Sequence, residues 1–100
     1  MIVYNETFIV EDSTVPEWFN WAKTEHIPAI MATGHFDTHT ILTVLDSPNE
    51  GITYCLQFHT DSIERYSEFH YKEKQKRHDI LTELFHERYV LFTTLMETVE

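Results

Sequence analysis

The chain has 100 residues, enough for one domain (residues 1–100) with a modest core and much remaining surface. Its 17 Asp and Glu against 7 Lys and Arg give a formal net charge of −10, which excludes a nucleic-acid surface, because phosphate binding needs clustered cations. An aromatic content of 14% places it outside the compositions of disordered chains.

The densest basic run, Lys72-Glu73-Lys74 with Lys76 and Arg77, is interrupted by acid and reads as the solvated face of a helix. The lone Cys55 rules out an internal disulfide framework and fits a reducing compartment. The opening MIVYNETFIV lacks a basic start and a small-residue cleavage site, and no apolar stretch approaches the roughly 18 residues of a membrane span. These features lead to the expectation of an acidic cytoplasmic protein without membrane contact.

In chain order, Ile2 to Val10 is rich in β-branched and aromatic residues and predicts a strand. In EDSTVPEW, Ser13 or Thr14 can cap a helix, Pro16 suits its first turn and Glu17 favours the positive end of its dipole. That helix is expected to run to about Met31 and to close at Gly34, with a bend at Pro28, which cannot donate to the carbonyl of Thr24. The segments HFDTHTILTVL and ITYCLQFH, joined by the turn DSPNEG, predict a hairpin over residues 35–59. A second helix follows. Asp61 is preferred to Ser62 as its cap, because Glu64 can return a bond to Asp61 whereas Arg65 cannot do so for Ser62. It should extend to about Phe85 with a break near His78, and Arg88 to Val99 should form the last strand.

The order β-α-β-β-α-β implies an α+β, ferredoxin-like subunit: a four-stranded antiparallel sheet with two helices on one face. Both alternating sets of the last strand, Tyr89-Leu91-Thr93-Leu95 and Val90-Phe92-Thr94-Met96, carry large apolar side chains. A sheet with one face in water should be polar on one of them. A homodimer packed through the free sheet face is therefore expected.

The residues Tyr4-Asn5, the run EWFNWAKTEHIPAIMATGHF (17–36), ITYCLQF (52–58) and the final strand resemble a family of short bacterial proteins that is a domain of unknown function. The layout also resembles the dimeric α+β barrel superfamily, which implies two ferredoxin-like subunits closing their sheets into one barrel. Sugar mutarotases of similar topology carry a His-x-Pro stretch in which the histidine is acid/base, and His26-Ile27-Pro28 matches that tripeptide. Haem-degrading monooxygenases of the superfamily use a first-strand Asn with a Trp and a haem-ligating His from the second helix. Asn5 with His70 or His78 could match two of these, but Asp61 to His78 contains no Trp.

On a helical wheel, Val15, Phe19, Ala22, His26 and Ile30 share a stripe flanked by Trp18 and Trp21. Two main readings of His26 stay open, with metal ligation as the remainder. It is either a core histidine bonded to a backbone carbonyl, or a catalytic acid/base at a cleft where Asn5, Trp18, Trp21 and His26 bind a small organic ligand. The corresponding functions are a small mutarotase- or monooxygenase-like enzyme and a non-enzymatic dimeric structural or interaction module. No cofactor and no metal are expected. His35 and His39 would stand about 13 Å apart on a strand. His70, His78 and His86 would be separated by about 12 Å per step on a helix. His39 and His59 would face each other only if the hairpin turn centres on Asn49.

Overall fold

β1 (Ile2–Val10) occupies a central position in the computed structural model, which describes all of residues 1–100. A turn of 3-10 helix (Asp12–Thr14) leads into α1 (Val15–Trp21), a π-helical turn (Ala22–His26) and α2 (Ile27–Ala32). β2 (Thr38–Thr43) and β3 (Ile52–Thr60) form the hairpin. α3 (Ile63–Lys72) and α4 (Lys74–Phe85) precede β4 (Tyr89–Glu97). The sheet order is β2-β3-β1-β4 and every pairing is antiparallel, as the ferredoxin-like α+β pattern requires. No helix is long and apolar enough to cross a membrane.

Register divides the residues between two faces. Tyr4, Glu6 and Phe8 pair with Phe58, Leu56 and Tyr54 on one side and with Leu95, Thr93 and Leu91 on the other, and this set turns toward the helices. There the core assembles from Tyr4, Phe8, Leu56 and Phe58 against Trp18, Trp21, Ile30, Phe69, Leu81 and Phe85. The opposite face carries Val3, Asn5, Thr7, Ile9, Val90, Phe92 and Met96, with no helix over it. Val90 is 55% and Phe92 52% exposed, large values for apolar side chains in a paired strand.

Several local expectations need correction. Neither Ser13 nor Thr14 caps the first helix with its side chain; the Glu11 carbonyl accepts from Thr14 N–H and Val15 N–H instead. Ser62, not Asp61, caps α3. Its Oγ accepts from Arg65 N–H at 3.2 Å, because a cap bond needs only the backbone donor three residues on. Asp61 lies 3.8 Å from the Arg65 guanidinium. The break in the second helix falls at Glu73 rather than near His78, with φ −119° there. Trp18 and Trp21 do not flank the buried stripe but lie in it, whereas Val15 and Phe19 are only partly buried. The hairpin register pairs Thr38 with His59 and His39 with Phe58, so His39 and His59 occupy opposite faces.

Two glycines close the turns with positive φ, Gly34 at 77° and Gly51 at 84°. A Cβ at Gly51 would meet the Val10 carbonyl oxygen at 2.4 Å, whereas one at Gly34 would meet nothing within 4 Å. Gly34→Ala should therefore cost only the left-handed backbone penalty, about 1–2 kcal/mol. Gly51→Ala adds a backbone clash and should cost more, and the two midpoints in urea unfolding test that order.

Candidate functional site

The alternation of β1 puts a carboxylate where the core would otherwise be apolar. Glu6 stands between Tyr4 and Phe8 on the helix side of the central strand and is fully buried. An unpaired charge there would be very costly, so its oxygens must be satisfied. Oε1 accepts from His26 Nε2 at 2.7 Å, and Oε2 accepts from the Tyr4 hydroxyl at 2.8 Å. His78 Nε2 of α4 lies 3.8 Å from Oε2.

His26 reaches Glu6 because of the π-helical turn. Ile27 N–H bonds the Ala22 carbonyl, five residues back, just before Pro28, which brings no donor to the ladder. In a regular α-helix, residues five apart point about 140° away from each other. The wider turn lets Trp21 and His26 stack with ring centroids 4.6 Å apart and planes at 21°. Phe8 meets the imidazole edge-on at 6.2 Å. His26 is therefore completely enclosed, and its partner is a carboxylate rather than a backbone carbonyl. Its Nδ1 is buried without a hydrogen-bond partner.

Burial by itself would push the Glu6 carboxyl up. The charge on His26 and the hydrogen bonds that His26 and Tyr4 donate, with His78 close to the second oxygen, outweigh it and hold the carboxyl down at about 2. Tyr4 responds oppositely: burial, then the Glu6 charge and hydrogen bond, keep its phenol far above the ordinary range, so Tyr4 is a constant neutral donor.

The four residues expected to bind a ligand do not converge. Trp18, Trp21 and His26 lie on the helix side, whereas Asn5 sits on the opposite sheet face, where its Nδ2 donates to Thr7 Oγ1 at 2.8 Å. His70 is exposed against Tyr66, Cys55 is half-buried beside Thr7, and Glu25 points to solvent. No three His, Cys, Asp or Glu side chains are placed to hold a metal ion. Neither cleft of the molecule includes His26. One, of about 540 Å³, lies at the end of the sheet between Glu11, Glu50, Gly51 and Arg88. The other, of about 230 Å³, is lined by Asn20, Trp21, Glu25, Leu84 and Phe85. Trp21 lines this smaller cleft and stacks on His26, so it separates the two.

Glu6 belongs to no histidine or cysteine pattern and carries no motif of its own. The signal was present: in Tyr4-Asn5-Glu6-Thr7-Phe8, period-2 alternation aligns Glu6 with the two aromatic residues. An acid on that inward set needs a partner from the packed helix stripe, where His26 is the one residue able to carry positive charge.

Two outcomes follow from the pair. Glu6→Leu leaves His26 buried without its carboxylate and should cost about 3–5 kcal/mol, whereas Glu6→Leu/His26→Leu should recover much of that loss. Denaturant unfolding of both variants checks it. Because Glu6 is lowered from 4.5 to about 2 in the folded chain, its stabilisation is complete above pH 4.5 and is lost as pH falls through 2. Unfolding free energy measured from pH 5 to pH 2 should fall less steeply for Glu6→Gln than for the native chain.

Comparison with solved structures identifies the fold. An EthD family protein from Bacillus halodurans superposes with a TM-score of 0.70 at 12% identity, covering 99% of this chain and 100% of that one. A candidate antibiotic biosynthesis monooxygenase from Deinococcus radiodurans gives 0.61 at 16% identity, over 100% and 94%. A de novo designed protein gives 0.50 at 8% identity, over 97% and 96%. At such identities the likeness is one of fold alone. No match was found among curated proteins. The model of one family does match, over residues 1–99, and the chain accordingly belongs to DUF4286, a domain of unknown function.

Proposed function

We propose that the chain is a homodimer whose subunits meet through the helix-free sheet face, and that each subunit uses His26, polarised by Glu6, as an acid/base toward a small organic ligand. The observation that carries the acid/base reading is the enclosed Glu6–His26 pair. An ionic pair in a core is seldom worth more than a well-packed apolar replacement, and strongly shifted buried groups concentrate at functional sites. The free Nδ1 of His26 is the atom that would exchange a proton with the ligand. Approach would be from the cleft beside Trp21 and would require that ring to swing off the imidazole.

A second reading is favoured by a specific observation: His26 borders no cavity in the closed form. In that reading the domain is a non-enzymatic dimeric module and the pair serves only to lock the helix to the sheet. The neighbours with EthD and monooxygenase descriptions are compatible with either, since they share only the fold.

Dimerisation is supported by the chemistry of the free face. In a chain of net charge −10, none of Val3, Asn5, Thr7, Ile9, Val90, Phe92, Thr94 and Met96 is charged. A like-charged second copy can approach there without repulsion at the contact, and the exposed apolar side chains favour burial. Light scattering at micromolar concentration should give the mass of two chains, and Phe92→Glu should give one chain while staying folded by circular dichroism. A monomeric native chain would overturn the dimer. For the acid/base role, mass spectrometry of small molecules that copurify should find one with the native protein and none with folded His26→Gln. Equal retention by both, or none by either, would leave the structural module as the answer.

A further inference from the structure

Glu6 has two oxygens, and the histidines nearest to it approach different ones. His26 Nε2 holds Oε1, whereas His78 Nε2 stands 3.8 Å from Oε2. That His78 nitrogen is buried without a hydrogen bond, yet the His78 side chain as a whole is 26% exposed. His78 thus reaches from solvent to the carboxylate that His26 meets from inside the core.

We infer that Glu6 is shared by the two histidines, that one positive charge is divided between them, and that His78 is the solvent-reaching residue that sets the charge on buried His26. The reason is electrostatic neutrality in a closed interior. One carboxylate balances one imidazolium, whereas both imidazoliums together would leave a net positive charge among Tyr4, Phe8 and Trp21. When His78 takes a proton from solvent and closes on Oε2, the proton on His26 is held less tightly. When His78 is neutral, His26 keeps the whole of the Glu6 charge. The coupling is reciprocal, so the two titrate as a pair.

The surroundings leave that role to Glu6. From β1, His78 faces Glu6 and, beyond it, the neutral hydroxyl of Tyr4; from the π-helical turn it faces His26 across the carboxylate. One turn back on α4, Lys74 lies over the Tyr4 ring at 5.6 Å and bonds Thr93 Oγ1 of β4 at 3.3 Å, a fixed positive charge. One turn further on, Thr82 bonds the Tyr89 hydroxyl of β4. Glu6 is the one carboxylate within ion-pair distance of His78.

The inference deepens the acid/base reading by naming what would reset His26, but it is tested on the free protein and can fail separately. Nitrogen NMR of the histidine side chains in the intact chain, titrated from pH 5 to pH 9, reads it directly. The His26 resonances should move in two steps, one of them coinciding with the titration of His78. In His78→Gln that step should be lost. In His78→Lys, whose ammonium stays charged over this range, it should also be lost, with His26 shifted toward its neutral form throughout. A His26 signal indifferent to His78 in the native chain, or a second step that survives in His78→Gln, would overturn the proposal. Both variants replace a partly exposed residue, and folding is verified from the amide spectrum of the same samples.

Discussion

The arrangement depends on one ionic contact, the 2.7 Å bond between Glu6 and His26 across the helix–sheet interface. A carboxylate on the inward set of a central strand is destabilising until a cation and further donors surround it. Most features of the neighbourhood can be traced to that need. Tyr4 turns its hydroxyl toward the acid, α4 brings His78 to its second oxygen, and the helix widens so that an imidazole reaches the first. Trp21 and Phe8 then close around the imidazole and keep water away, which strengthens the contact they enclose.

The two sheet faces divide the chemistry. Toward the helices the sheet holds aromatic bulk and a single charged cluster; on the other side it shows Val90, Phe92 and Met96 without a charged residue among its central positions. Asn5 belongs to this second environment. It is shielded by its neighbours on the adjacent strands, bonds Thr7, and leaves its Oδ1 without a partner. β1 is paired with β3 on one side and β4 on the other and is buried along nearly its whole length.

The fold was legible in the sequence because its signals are strong and local: β-branched strands, Gly51 in a hairpin turn, Gly34 at a helix end, and β-α-β-β-α-β order. The site was only half legible. His26 stood out through its place in the helix stripe, but its partner lies 20 residues away on a strand, and pairing across elements depends on alternation rather than on a motif. Errors at the margins have equally physical causes. Asp61 has the reciprocal partner Glu64 that Ser62 lacks, yet the cap bond itself decides and Ser62 makes it, and the helix break at Glu73 carries neither glycine nor proline to mark it. His39 and His59 were separated by a single step of register, which sequence spacing does not determine.

The π-helical turn also bears on how such a chain can drift over generations. It holds one more residue per turn of the hydrogen-bond ladder than an ordinary helix, with Ile27 bonded to Ala22. Losing one residue between Ala22 and Glu25 would restore the ordinary ladder and rotate everything upstream by about 100° relative to His26. Trp18 and Trp21 would then leave the sheet, or His26 would leave Glu6. Such a deletion would change the phase of the helix as well as its length. Lineages that keep the buried pair should therefore keep the spacing from Trp21 to Pro28 even where the residues between them change.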